Sequence, residues 1–278
     1  MEERKLGMNK RLSLPRGFGI LLILAIFIVP YVTVLITSLK PMEAMFATKP
    51  VWMFRPVLEY YFDILIQKGY YRFIINSFVT AIGTLFLSFA IGIPVAYAFS
   101  RFRFFGLRKF KLFILLTCMA PPLGIAFPLY FVFAQIGLVG THIGLIIAHT
   151  GINLGLVVLV VESFMSGIPK EMDEAAMIEG AGALTMLVKI ILPLAKPGLV
   201  ATGVLVFIFS WNEFLAALVL THGGNSTLPI VIPALITHTG TLWGQVTALC
   251  IVSTIPVIVL AIFIFKHLIR GLTFGALK

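Results

Sequence analysis

Glu213 is the foremost of the few side chains that could do chemistry inside apolar sequence. It sits beside Trp211 and Asn212 in a run, Gly198 to Leu220, that holds no other charged residue. A carboxylate at the centre of a membrane helix costs roughly 2.5–3.5 kcal/mol even on a translocon-insertion scale. It therefore either accepts hydroxyl hydrogen bonds along a water-filled path or ties its helix to a neighbour through a buried hydrogen bond, and both readings stay open. Asn153, His149 and Gln245 are further polar groups in apolar runs, where bonding between helices is the commoner role and solute contact the rarer one. Covalent chemistry has no constellation to support it. The histidines His142, His149, His222, His238 and His267 lack the spacing of a metal cluster or of a base paired with a nucleophile. No Gly-x-x-x-x-Gly-Lys-Ser/Thr loop occurs, so the chain itself is not expected to hydrolyse ATP. No cofactor or metal is implied.

The elements that must position these groups follow from composition. The 278 residues are 60% hydrophobic and 12% charged, with a mean hydropathy of +1.07. Too few polar residues exist to cover a water-soluble globule, so lipid must solvate the chain. A helix needs about 20 apolar residues to cross the hydrocarbon core. Windows of that kind place six spans near 17–39, 73–99, 112–135, 143–161, 198–220 and 242–265. All six are expected to be helices, because backbone groups in lipid must bond within their own segment. The charge-free stretch from Leu112 to Val161 is divided at Gln135-Ile136-Gly137 and Gly140-Thr141-His142. Prolines 94, 121, 122, 128 and 256 fall inside spans, and Pro121-Pro122-Leu123-Gly124 is the expected true break. Cys118 and Cys250 read as small core residues without a disulfide. The first apolar run, Gly17 to Leu39, is too long for a signal peptide and lacks a small-residue cleavage site, so it counts as a span.

The net charge of +10 raises the question of nucleic acid, but the cations sit in gaps between hydrophobic runs and form no aromatic-interleaved stripe, so no nucleic-acid partner is expected. Their distribution orients the chain instead. Arg4, Lys5, Lys10, Arg11 and Arg16 precede the first span, and Arg101, Arg103, Arg108, Lys109 and Lys111 occupy the second loop. Lys170, Lys189 and Lys196 lie in the fourth loop, and Lys266, Arg270 and Lys278 at the C-terminus. The opposite side holds only Lys40, Lys49, Arg55, Lys68 and Arg72, all in or beside one loop. Both termini are thus expected in the cytoplasm, as an even span count requires.

The fourth loop, 166–196, carries helix signals. Pro169 suits a first turn, and Glu171, Asp173 and Glu174 complement the positive end of the helix dipole. Met172, Ala175, Ala176 and Glu179 share a face. Gly180 and Gly182 end this short helix, and Pro193 ends a second, apolar one. Small residues on an exposed helix let another backbone approach closely, which suits docking into a soluble partner, although short interfacial helices are also common. The last external loop, Thr221 to Thr241, is longer than a tight connection needs and could reach a partner.

Glu174-Ala175-Ala176, three residues, Gly180, nine residues, Ile190, one residue and Leu192-Pro193 resemble the EAA motif of permease subunits in binding-protein-dependent ABC importers. Ser38-Leu39-Lys40-Pro41, Trp211-Asn212-Glu213-Phe214 and the terminal Gly271-Leu272-Thr273-Phe274-Gly275-Ala276-Leu277-Lys278 are similar to the shorter, six-span permease of maltose-type carbohydrate importers. The likeness runs from about Gly17 to Lys278. It implies an all-α membrane protein, residues 1–278 forming one permease domain of the ABC importer type I fold, with six transmembrane helices and a cytoplasmic coupling helix. Glu174, Ala175, Ala176, Gly180, Ile190, Leu192 and Pro193 would couple to the ATPase, while Asn153, Asn212, Glu213 and Gln245 are candidates for the carbohydrate path. The implied partners are a second homologous permease, two copies of a cytoplasmic ABC ATPase and an extracytoplasmic sugar-binding protein, which the last external loop approaches in relatives. The implied location is the inner membrane. A non-sugar solute is the nearest alternative. A secondary transporter is more remote, since Glu213 alone makes a poor ion relay.

Overall fold

The computed structural model describes residues 14–237 and 240–275, with side chains over 18–237 and 240–263. Arg4, Lys5, Lys10, Arg11, His238 and residues 276–278 lie outside the described residues. The side chains of Arg16, Lys266, His267, Arg270 and residues 271–275 do too.

Four helices are long and apolar enough to cross a membrane alone: α1 (Leu14–Ser38), α2 (Tyr71–Arg101), α5 (His142–Ser166) and α10 (Trp243–Gly275). Two bent pairs bring the number to as many as six where each pair counts as one span. The first joins α3 (Leu107–Cys118) to α4 (Pro122–Gln135) through a 94° bend at the expected proline break. Pro121 there adopts the extended conformation and Pro122 opens the next helix, where its missing N–H costs nothing. The second joins α7 (Ala183–Leu194) to α8 (Lys196–Trp211) at 81°.

The fifth span departs from expectation. It is not one helix over 198–220, because α8 stops at Trp211 and a separate short helix, α9, runs Leu215–Leu220. The interruption is Asn212-Glu213-Phe214, where polar side chains take over hydrogen bonds that a continuous helix would make itself. Pro193 likewise does not end its helix. A π turn over Leu187–Ile191 immediately before it loosens the spiral, and the chain bends two residues later, at Ala195.

α2 and α5 pack along most of their lengths, and α8 lies against both and against α10. Small residues set that closeness: a Cβ at Gly92 on α2 would stand 2.6 Å from Val157 Cγ1 on α5. α1 touches the bundle mainly through α10, with Tyr31 Oη 3.0 Å from Thr254 Oγ1. The rest of its apolar surface is exposed, as a lipid-facing helix would be. Cys118 is exposed and not core, because the α3–α4 bend leaves it at a helix end, and both cysteines are free thiols.

The loop after α9 is pinned down more than its length suggests. Asn76 Nδ2 donates to the carbonyls of Gly224 (2.7 Å) and Ser226 (2.9 Å), and the Leu228 N–H donates to Ser77 Oγ at 2.8 Å. Leu228, Val231 and Leu235 are buried beneath it. It ends in a two-residue antiparallel pair, β1 (Ile236–Thr237) with β2 (Gly240–Thr241).

Candidate functional site

One end of the bundle carries a projecting platform. Glu171–Ile178 forms helix α6, its first turn loaded with Glu171, Asp173 and Glu174. Gly180, at φ +82°, ends it: Ala181 N bonds Ala176 O at 2.9 Å and Gly180 N bonds Met177 O at 3.0 Å, the paired closure that a left-handed residue permits. The predicted face of Met172, Ala175, Ala176 and Glu179 is split in the structure. Ala176 turns inward with Asp173, while Met172, Ala175 and Glu179 are exposed. The inward turn follows from Asp173, three residues before Ala176 on the same inner side, whose carboxylate reaches the Arg101 guanidinium at the end of α2. Beside the exposed positions stand Ile178 and Leu184, 88% and 75% exposed. Glu174 and Gly180 are exposed too, Ile190 and Leu192 are half-buried, and Pro193 is exposed.

What holds the platform is an ion pair that inspection of the sequence missed. Arg101, at the end of α2, places Nε 2.5 Å from Asp173 Oδ2, with the two side chains only 6% and 7% exposed. Arg101 Nη1 also donates to Met165 O on α5 at 3.0 Å. Arg101 Nη2 and Asp173 Oδ1 have no hydrogen-bond partner among the described residues, so attraction of charges, not a full hydrogen-bond set, holds the pair. Tyr97 Oη donates to Met186 Sδ at 3.4 Å, fixing α7 to α2 as well. Below lies a second core of Ala96, Val157, Val161, Met165, Leu187 and Ile191. The sequence offered Arg101 only as an orienting charge and Asp173 only as a complement to the dipole. Glu162, near the end of α5, pairs with Lys111 at 2.8 Å.

The polar groups within the bundle fall into three places. Glu213 occupies the break between α8 and α9. Its Oε1 accepts from Ala216 N at 2.9 Å and its Oε2 from Ala217 N at 3.1 Å, so it caps α9. Oε2 also lies 3.2 Å from Nε2 of the fully buried His149 on α5, whose Nδ1 is 2.8 Å from Ser210 Oγ. Ser210 in turn reaches Thr84 Oγ1 on α2 at 3.4 Å. Asn153 is buried nearby and donates to His149 O at 2.8 Å.

Asn212 points elsewhere. It is exposed, its Nδ2 bonded to Ile208 O at 2.9 Å, and it borders a cleft of about 440 Å³ with Tyr31, Ser253 and Thr254 as the other polar groups. These hydroxyls sit in apolar runs without charge on two helices far apart in the chain, so nothing local in the sequence flags them. Gln245 is at the far end of the bundle, where its Oε1 accepts from Lys68 Nζ at 2.9 Å and its Nε2 donates to Asp63 Oδ2. Lys68 and Asp63 pair at 3.4 Å. Next to them, burial and then the neighbouring Glu59 raise the Tyr60 phenol above its ordinary range. The structure therefore does not bring Asn153, Asn212, Glu213 and Gln245 into one site. No group of three metal-ligating side chains occurs among the described residues.

Residues 88–274 match the family model described as binding-protein-dependent transport system inner membrane component. The trehalose/maltose transport system permease protein MalG of Thermococcus litoralis is 32% identical over 97% of this chain and 97% of its own. The trehalose transport system permease protein SugB of Mycobacterium tuberculosis is 36% identical over 74% of this chain and 76% of its own. Among solved structures, a chain of a bacterial ABC transporter that imports the acidic polysaccharide alginate superposes with a TM-score of 0.74. It shares 24% identity and covers 90% of this chain and 96% of that one, a likeness of fold.

Proposed function

This chain belongs to the binding-protein-dependent transport system inner membrane component family, and from that premise we propose that it forms half of the pathway of an ATP-driven carbohydrate importer. The carbohydrate class is supported by the relatives' names, which specify trehalose, maltose and diacetylchitobiose transport. The chain is a multi-pass membrane protein that works as a transport component. Its partners are a second permease, two ATPase subunits and an extracytoplasmic binding protein, and its termini lie in the cytoplasm.

The observation that carries the coupling role is the α6 platform. Ala175, Ile178 and Leu184 present a small and apolar surface outward, and the Arg101–Asp173 pair behind it joins that surface to α2 and α5. A helix that is free on its outer face and charge-locked on its inner face can pass the closing motion of a bound ATPase to the bundle. A loosely tethered helix would absorb it. In the bundle, Asn212 with Tyr31, Ser253 and Thr254 gives a polar wall for sugar hydroxyls, and Glu213 with His149 shapes the break that exposes Asn212.

The test is site-directed crosslinking from Ala175→Cys and Ile178→Cys in membranes that hold the assembled complex. Crosslinks to the nucleotide-binding subunit that tighten or loosen with ATP are expected. Crosslinks to lipid or to nothing, with sugar uptake intact, would sink the coupling role.

A further inference from the structure

The turn between α2 and α3 departs from the sequence expectation that the basic residues lack aromatic company. Residues 101–113 read RFRFFGLRKFKLF, with phenylalanines set between cations. Gly106, at φ +86°, folds the segment back on itself. Phe99, Phe104 and Phe110 then form a ladder with ring centroids 6.1 and 6.2 Å apart, and Lys111 Nζ stands 6.0 Å from the Phe99 ring centre. The turn is therefore a built structure.

Two of its five cations are already used, Arg101 by Asp173 and Lys111 by Glu162. Arg103, Arg108 and Lys109 are exposed and have no ion pair among the described residues. No Asp or Glu occurs anywhere from Ile64 to Val161, so the turn has no carboxylate of its own, and the two that reach it, Asp173 and Glu162, are taken by Arg101 and Lys111. Phe105 is 97% exposed, and with Phe110, Phe113 and Lys109 it borders a cavity of about 490 Å³. The exposed apolar face of α3, including Leu112, Phe113 and Leu116, runs directly on from this cavity.

We propose that this turn is a docking site for anionic phospholipid, with Arg103, Arg108 and Lys109 holding the headgroup phosphates and Phe105, Phe110 and Phe113 seated among the acyl chains beside them. Orientation alone needs the positive charges but not exposed rings beside them. Cations interleaved with apolar rings, continuous with a lipid-facing helix, match an interface whose outer layer is anionic and whose inner layer is hydrocarbon. Each cation near such a surface favours it by roughly fivefold, so the three together give about a hundredfold preference for an anionic over a zwitterionic lipid. The inference rests on the membrane placement of the chain and not on the solute it carries.

The experiment offers the complex purified in mild detergent phosphatidylglycerol or phosphatidylcholine and counts the lipids retained on this chain by native mass spectrometry. The unaltered chain should retain phosphatidylglycerol preferentially, and the preference should fall as ionic strength rises. The Arg103→Gln/Arg108→Gln/Lys109→Gln variant should lose about a hundredfold of it, while Arg103→Lys/Arg108→Lys should keep most of it. Equal retention of both lipids by the unaltered chain, or a preference indifferent to salt, overturns the proposal even if the triple variant fails to assemble. So does a triple variant that keeps its phosphatidylglycerol but sheds its ATPase subunits, which would assign the surface to a protein partner.

Discussion

Arg101 and Asp173 form a buried ion pair across the junction of α2 and α6, 2.5 Å between Nε and Oδ2. Removing one partner leaves the other charge in a site nearly closed to water. Breaking such a pair typically costs about 3–5 kcal/mol, while replacing both partners by apolar residues is often close to neutral. Asp173→Asn and Arg101→Met should each lower the thermal stability of the detergent-solubilised chain and weaken sugar-stimulated ATPase activity. Arg101→Met with Asp173→Leu should recover stability more than coupling. Recovery of both by the double variant would show that the pair contributes only packing.

Glu213 accepts two backbone N–H groups with two oxygens, and an amide can offer only one. Glu213→Gln should therefore fray α9 and cost about 1–2 kcal/mol, read as a lower melting temperature with assembly retained. Asn212→Ala should leave melting unchanged and raise the KM of uptake about two- to tenfold, the worth of one neutral hydrogen bond. If uptake by Asn212→Ala matches the unaltered complex, its cleft is not the path.

Gly92 faces Val157 with no room for a methyl group. Gly92→Ala should cost about 1–3 kcal/mol through overpacking of α2 on α5, and a second change, Val157→Ala, should restore most of it. Failure of that rescue in a melting experiment would place the strain elsewhere.

Gly180 holds a left-handed conformation with open space around its Cα. Gly180→Asp should cost about 1–2 kcal/mol locally through backbone strain, leave membrane insertion intact and separate ATP hydrolysis from uptake. Sugar uptake at the normal rate per ATP would remove the platform closure from the coupling machinery.

The long apolar helices, the split at 135–142 and the proline break at 121–122 were legible because each depends on hydropathy or on backbone chemistry carried by the residues themselves. So was the end of α6, since Gly180 acts locally, whereas Pro169, expected in its first turn, lies two residues before the helix begins at Glu171. The break at Asn212–Phe214 was not legible: a helix-compatible run is interrupted there by a carboxylate whose ring partner, His149, is 64 positions away. The same holds for Arg101 with Asp173 and for Lys68 and Asp63 with Gln245. Each member has a local role that looks sufficient, and only the fold shows the long-range one.

α2 runs unbroken from Tyr71 to Arg101. Near its start Asn76 and Ser77 hold the loop at one face, and at its end Arg101 holds the platform at the other. At 1.5 Å per residue the two fastenings are about 37 Å apart. Pro94 lies between them and leaves one rung of the helix unmade. Under the proposed coupling role, a push on the platform would travel along α2 and the α5 packed against it, and Pro94, with its missing hydrogen bond, would be where α2 yields most readily.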